Sequence, residues 1–196
     1  MTQEPNTQSI PRARAVLIDP PWQGSNAEKH YKTMPLERIK ALPIADLMQP
    51  NSWCFLWITG TMLWHGPDVL RAWGFEPVKP PMIVWFKGFL GTGSPLRATT
   101  EYLLLGRRGR PAPAFRGQPT HLVAPRGRHS EKPAEQIGLI ERFVGEGPFI
   151  EIFARKRPSS SQDWRIWGLE AEGDSDFVMP GFPLDNDPAH RPESRP

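Results

Sequence analysis

Short unbroken apolar runs alternate along this chain with stretches of helical period. Arg14 to Ile18 reads as a strand, as do Ser52–Thr59, Met82–Phe86, Glu101–Leu105 and Phe149–Ala154. Ser52–Thr59 is continuous, aromatic and β-branched, which predicts a strand buried on both faces. Between these runs, Pro35–Ala41, Met62–Trp73 and Pro133–Phe143 predict helices. Leu63, Val69, Leu70 and Trp73 share one helical face, and Gly74 follows as a natural C-cap. Thr33 is a cap candidate for the first helix, with Pro35 in its first turn. Trp164 and Trp167 lie in a last structured stretch, 163–170. Strands alternating with helices imply an α/β fold on a largely parallel sheet, whose ligands sit at the carboxyl ends of its strands. Residues 12–170 form one domain, flanked by a disordered 1–11 and a mostly disordered tail, 171–196, rich in proline and acid.

Charge sharpens this picture. The tail holds six acids and two bases, a net of −4, which leaves +7 on the first 170 residues within an overall +3. A basic body suits a polyanionic partner. The basic residues gather in 106–128, which reads as a long Pro- and Gly-rich loop, and loops of that length are usually functional or mobile. The single cysteine, Cys54, excludes an internal disulfide and falls in an apolar strand, as a reduced core thiol would. The five histidines are scattered, and no Cys/His cluster has metal-ligand spacing. The polar N-terminus lacks the features of a signal peptide, and no apolar run approaches the ~20 residues that span a bilayer. These features place the chain in the cytoplasm or nucleoplasm, without contact to membrane.

The first strand ends in Asp19-Pro20-Pro21-Trp22. Two prolines stop a strand, because proline fixes φ and cannot donate to the ladder. An exposed turn of this kind offers a carboxylate, carbonyls and an indole face. Those groups suit an exocyclic amino group on a planar base, with the oxygens accepting its N–H bonds and the ring stacking on Trp22. A plain turn with a core tryptophan is the competing reading.

The order of motifs is more specific. After Asp19-Pro20-Pro21-Trp22 come His30-Tyr31-Lys32-Thr33-Met34, His129-Ser130-Glu131-Lys132-Pro133, Glu151-Ile152-Phe153-Ala154-Arg155 and Trp164-Arg165-Ile166-Trp167-Gly168-Leu169-Glu170. This set resembles the MT-A (seventy-kilodalton type) family of S-adenosylmethionine-dependent N6-adenine methyltransferases, in particular its short bacterial and phage members. The resemblance covers residues 12 to 170 and implies a Rossmann-like class I methyltransferase fold with permuted motif order. The catalytic motif then comes early and much of the cofactor site late, which accounts for the missing G-x-G-x-x-G after the first strand. The glycines of 88–93 read instead as a substrate-side loop.

By that resemblance, Asp19, Pro20, Pro21 and Trp22 are the catalytic residues. Asp19 meets the target amino group and the amino end of the cofactor's methionine, and the Pro20 carbonyl accepts from the amino group. Lys132 meets the cofactor carboxylate; Glu151, Phe153, Arg155, Gly168, Leu169 and Glu170 complete the cofactor site. His30 and Tyr31 cover the target base. Arg107, Arg108, Arg126 and Arg128 of the basic stretch contact phosphates, fixing position without reading sequence. Leu169 departs from the family, which often has asparagine there. A lost neutral hydrogen bond is worth roughly 1 kcal/mol, or about fivefold to tenfold in cofactor affinity. Thr99 and Thr100 stand where an amide and a histidine are common.

The resemblance implies methyl transfer to adenine N6 in nucleic acid, DNA first and RNA as the rival. A catalytically dead partner subunit is a further reading, opposed by the intact tetrad and Lys132, and a small-molecule methyltransferase is opposed by the basic stretch. Oligomeric state is open, a homodimer among the options.

Overall fold

The computed structural model describes residues 12–23, 33–88, 90, 95–125, 127, 131–168 and 175–182. Seven strands form one sheet in the order β5-β3-β4-β2-β1-β6-β7. They are β1 Ala13–Ile18, β2 Met48–Ile58, β3 Glu76–Phe86, β4 Thr100–Arg108, β5 His121–Val123, β6 Phe149–Ile152 and β7 Trp164–Trp167. β1 pairs in parallel with β2 and β6, β6 with β7, and β3 with β5, whereas β4 runs antiparallel to β2 and β3. The mostly parallel α/β sheet expected from the alternating pattern is thus present, with β2 at its centre and β1 between β2 and β6.

Alternate side chains of the central strands feed two cores. Val16, Ile18, Cys54, Leu56 and Ile150 face one side, packed with α1 (Leu36–Lys40) and α2 (Gly66–Ala72). Ala15, Leu17, Phe55, Trp57 and Phe149 face the other, under α3 (Glu135–Val144). Cys54 is fully buried, and burial raises its thiol pKa. No helix among the described residues is long and apolar enough to cross a membrane.

Several elements differ from expectation for identifiable reasons. The single helix expected over 62–73 is a 3₁₀ segment, Gly60–His65, followed by α2, because Pro67 lies in the first turn of α2 and has no N–H to continue the earlier helix. Gly74 does cap that end, at φ +80°. Thr33 makes no cap; Pro35 holds the N-cap position without a side-chain bond. β6 ends at Ile152 rather than Ala154, since Phe153 adopts φ +64°, a conformation strongly disfavoured for a bulky residue.

The 106–128 stretch is not one loop. β4 continues through Arg107 and Arg108, and β5 lies within the remainder. Nor does packing stop at residue 170: 175–182 returns to the body, burying Phe177, Met179 and Phe182 in the α1/α2 core.

Candidate active site

The carboxyl ends of β1 and β6 lie side by side, with Ile18 opposite Ile152. Asp19 follows directly, and its side chain alternates onto the α3 face of the sheet. Pro20 and Pro21 then turn the chain: Trp22 N–H donates to the Pro20 carbonyl at 2.8 Å, and Met34 N–H to the Pro21 carbonyl at 2.8 Å. Lys132, just before α3, reaches across this strand end. Its Nζ lies 2.7 Å from Asp19 Oδ2 and 3.5 Å from Glu101 Oε2. Glu101 Oε1 in turn accepts from Lys87 Nζ at 3.0 Å. The result is a chain of alternating charge: Asp19, Lys132, Glu101, Lys87. Lys132 Nζ also sits 5.5 Å from the centroid of the Trp57 ring. Trp57 is itself fixed by its Nε1, which donates to Gln136 Oε1 of α3 at 2.6 Å.

Burial works against the Lys132 cation, but Asp19 and Glu101 more than offset it and hold its pKa above the ordinary lysine value. Burial would also raise Glu101, yet the two lysines outweigh it and keep its carboxyl below the usual range. Asp19 differs. Burial raises its carboxyl despite Lys132 and the nearby Arg155, both of which pull it down. About a third of the Asp19 side chain (32%) remains open to solvent, against 11% for Lys132. The carboxylate is therefore held from behind and open in front, as a group that receives a ligand must be. Glu151, level with Leu17 on β6, is pushed up to about 8 by burial and then by the Asp19 charge.

Among the sequence-predicted residues, Asp19, Pro20, Lys132, Glu151 and Arg155 converge at this strand end. Phe153 lies partly buried, edge-on to Trp167 at 5.4 Å, and its turn lets Ala154 N–H donate to the Trp167 carbonyl at 3.0 Å. Gly168 passes so close to that turn that a Cβ there would stand 2.2 Å from the Ala154 carbonyl oxygen; only glycine fits.

Trp22 is not the exposed stacking platform expected. It is 4% exposed, and its Nε1 donates to the Trp57 carbonyl at 3.0 Å, so it is a core residue that ties the turn to β2. Arg107 and Arg108 lie on β4 rather than in a loop beside the cofactor segment. Arg108 donates to the Ala45 carbonyl at 2.5 Å, a bond within the fold. His30, Tyr31, Arg126, Arg128, Leu169 and Glu170 fall outside the described residues. Sequence reasoning missed Glu101 and Lys87. A signal existed: opposite charges at the facing ends of two strands joined through 88–99, a placement that lets them pair across one strand edge. Among the described residues no group of histidine, cysteine, aspartate and glutamate could hold a metal ion.

Comparison with known proteins accords with this geometry. The MT-A70 family profile matches residues 14–170. The N(6)-adenosine-methyltransferase MT-A70-like protein of Drosophila melanogaster is 33% identical over 168 residues, spanning 81% of this chain and 27% of that protein. The N(6)-adenosine-methyltransferase catalytic subunit METTL3 of Homo sapiens is 31% identical over 168 residues, 81% of this chain and 28% of its own length. The type II methyltransferase M.MunI of a Mycoplasma species is 31% identical over 148 residues, 74% of this chain and 62% of its own. The chain thus spans about a quarter of the first two relatives and under two thirds of the third.

Proposed function

This chain belongs to the MT-A70 family, and we propose that it transfers a methyl group from S-adenosylmethionine to the N6 amino group of adenine in nucleic acid, DNA being the favoured substrate. The observation that carries this reading is the Asp19 carboxylate, braced by Lys132 and open in front, at the carboxyl end of β1.

The donor set fits the cofactor's methionine end: a carboxylate for its ammonium, and two cations, Lys132 and Arg155, for its carboxylate. Glu151 lies beside Asp19 and is largely protonated at neutral pH, so it adds little repulsion to an anion there. The bound cofactor would supply a methyl group activated by a sulfonium. The chain's task is to orient the amine. Its N6 lone pair is delocalised into the ring; two acceptors, the Asp19 carboxylate and the second lone pair of the Pro20 carbonyl, draw the nitrogen toward tetrahedral geometry and stabilise the positive charge that grows on it. A methylated N6 would carry a positive charge that makes its proton acidic enough to leave without a dedicated base. In-line positioning supplies most of the remaining rate. No strong base is required, in keeping with an Asp19 already committed to Lys132.

DNA is favoured because the chain covers more of the type II methyltransferase than of the longer METTL3-like proteins. The test is transfer from labelled S-adenosylmethionine to matched single-stranded DNA, duplex DNA and RNA, with the product nucleoside identified. N6-methyladenine in a DNA pool supports the proposal. The same product in RNA alone would move the substrate class, and no product in any pool would overturn the activity. Asp19→Asn is expected to lower the rate at least about 100-fold while leaving the chain folded, as removal of a charge-stabilising acceptor does.

A further inference from the structure

We infer a second nucleic-acid subsite in the cavity between β3, β4 and α3, a site for a nucleotide several positions from the target adenine on the same strand; this rests on the proposed nucleic-acid substrate. The cavity measures about 590 Å³, room for a nucleoside, and one wall is aromatic: Trp53, Phe55 and Phe143. Phe143 stands edge-on to the other two, at 5.0 Å and 6.0 Å between centroids. Val78, Pro77 and Pro119 add further apolar surface.

Charge singles out the occupant. The lining contains two cations, Lys79 and Arg107, and no carboxylate. Both are exposed, and neither side chain has an ion pair or hydrogen bond among the described residues. The natural partner for Arg107 would be Glu76, its neighbour in the β3–β4 ladder, but Glu76 turns to Arg71, 3.8 Å away. An aromatic wall under unpaired cations is the combination that binds single-stranded nucleic acid, the base against the rings and the phosphate on the cations. Thr120 supplies a hydroxyl at the same cavity for a base edge or sugar, whereas the Gln118 amide there already accepts from Arg142 and donates to the Pro119 carbonyl.

Position agrees. Through the β1–β2–β4 registers, Asp19 stands level with Leu103, and Arg107 lies four residues further along β4. Four strand residues and two strand spacings amount to about 17 Å, about five nucleotides of a stacked strand at roughly 3.4 Å each. One strand can therefore present adenine to Asp19 and a nucleotide about five positions away to the cavity.

The experiment measures anisotropy of fluorescein-labelled single-stranded DNA of about three and about 20 nucleotides, each with one adenine, on the wild type and on Arg107→Ala/Lys79→Ala. The long strand is expected to lose about tenfold in affinity in the double variant, and its log–log salt slope to fall by about 1.4, the value for two single-strand phosphate contacts. The short strand cannot span the two sites, so the wild type's preference for the long strand over the short one narrows in the variant. Thermal unfolding of the variant stays near wild type, since both side chains are exposed. Equal long-strand binding by the two proteins, or an unchanged salt slope, would overturn the subsite. So would an acidic proline-rich peptide that binds with the same dependence on Arg107 and Lys79 while DNA does not. Should long DNA bind through these cations and yet accept no methyl group, the subsite stands and the proposed reaction falls.

Discussion

Glu151 is a residue whose charge depends on folding. Its carboxyl is pushed up to about 8 by burial and by Asp19, from an ordinary value of 4.5. A carboxyl raised in the folded state favours folding while it is protonated in both states, below about pH 4.5. That advantage drains away as pH rises toward 8, since the unfolded chain releases its proton first. The slope is capped at about 1.4 kcal/mol per pH unit, and the residual exposure of Glu151 keeps it lower. Glu151→Gln is therefore expected to flatten the fall in Tm between pH 5 and 8, measured by thermal unfolding across that range. A variant whose Tm tracks wild type throughout would refute the assignment. The position of Glu151 was legible in the sequence, on a strand bound for the site. Its protonation state was not, because it depends on Asp19 of a neighbouring strand.

At the scale of elements, the turn after β1 is fixed by what it packs on. The sequence located the end of β1, since two prolines can end a strand wherever they fall. It left two fates for Trp22, because an indole after such a turn serves equally as platform or core. The decision came from β2, whose Trp57 carbonyl accepts the indole N–H. Trp22→Phe keeps most of the packing and loses that bond, which is expected to cost about 1 kcal/mol. Trp22→Ala opens a large cavity and is expected to cost about 3–5 kcal/mol. Chemical denaturation of both variants checks the order. A Trp22→Ala chain as stable as wild type would return the indole to the surface. β4 shows the complementary difficulty. Its apolar core was plain, but its polar end at Arg107 and Arg108 read as loop, since nothing local marks an arginine as paired in a ladder.

For the molecule as a whole, the order of motifs carried the fold, and the least legible part was the chain's return after residue 174. Acids and prolines dominate 171–196 and read as a solvated tail. Within it, Phe177, Met179 and Phe182 are apolar among polar neighbours, too sparse for a periodic signal, and their packing depends on a surface built by α1 and β7. Asp176 supplies the anchor. It accepts from both Arg157 terminal nitrogens, at 2.7 and 2.9 Å, and from Ile166 N–H at 2.7 Å. Arg157 holds the Asp176 carboxyl below its usual range, though burial alone would raise it. The strap then alternates: Phe177 is 8% exposed, Val178 73%, Met179 1%. That alternation makes a paired prediction. Phe177→Ala removes a buried ring and is expected to cost about 3–5 kcal/mol, which for a chain of this size lowers Tm by about 6–20 °C. Val178→Ala, one residue on, changes only an exposed side chain and is expected to stay within about 0.5 kcal/mol of wild type. Differential scanning calorimetry of the two variants decides the point. Equal Tm values would mean that the strap contributes nothing in solution. A large gap would make residues 175–182 part of the folded body and extend the domain past 170.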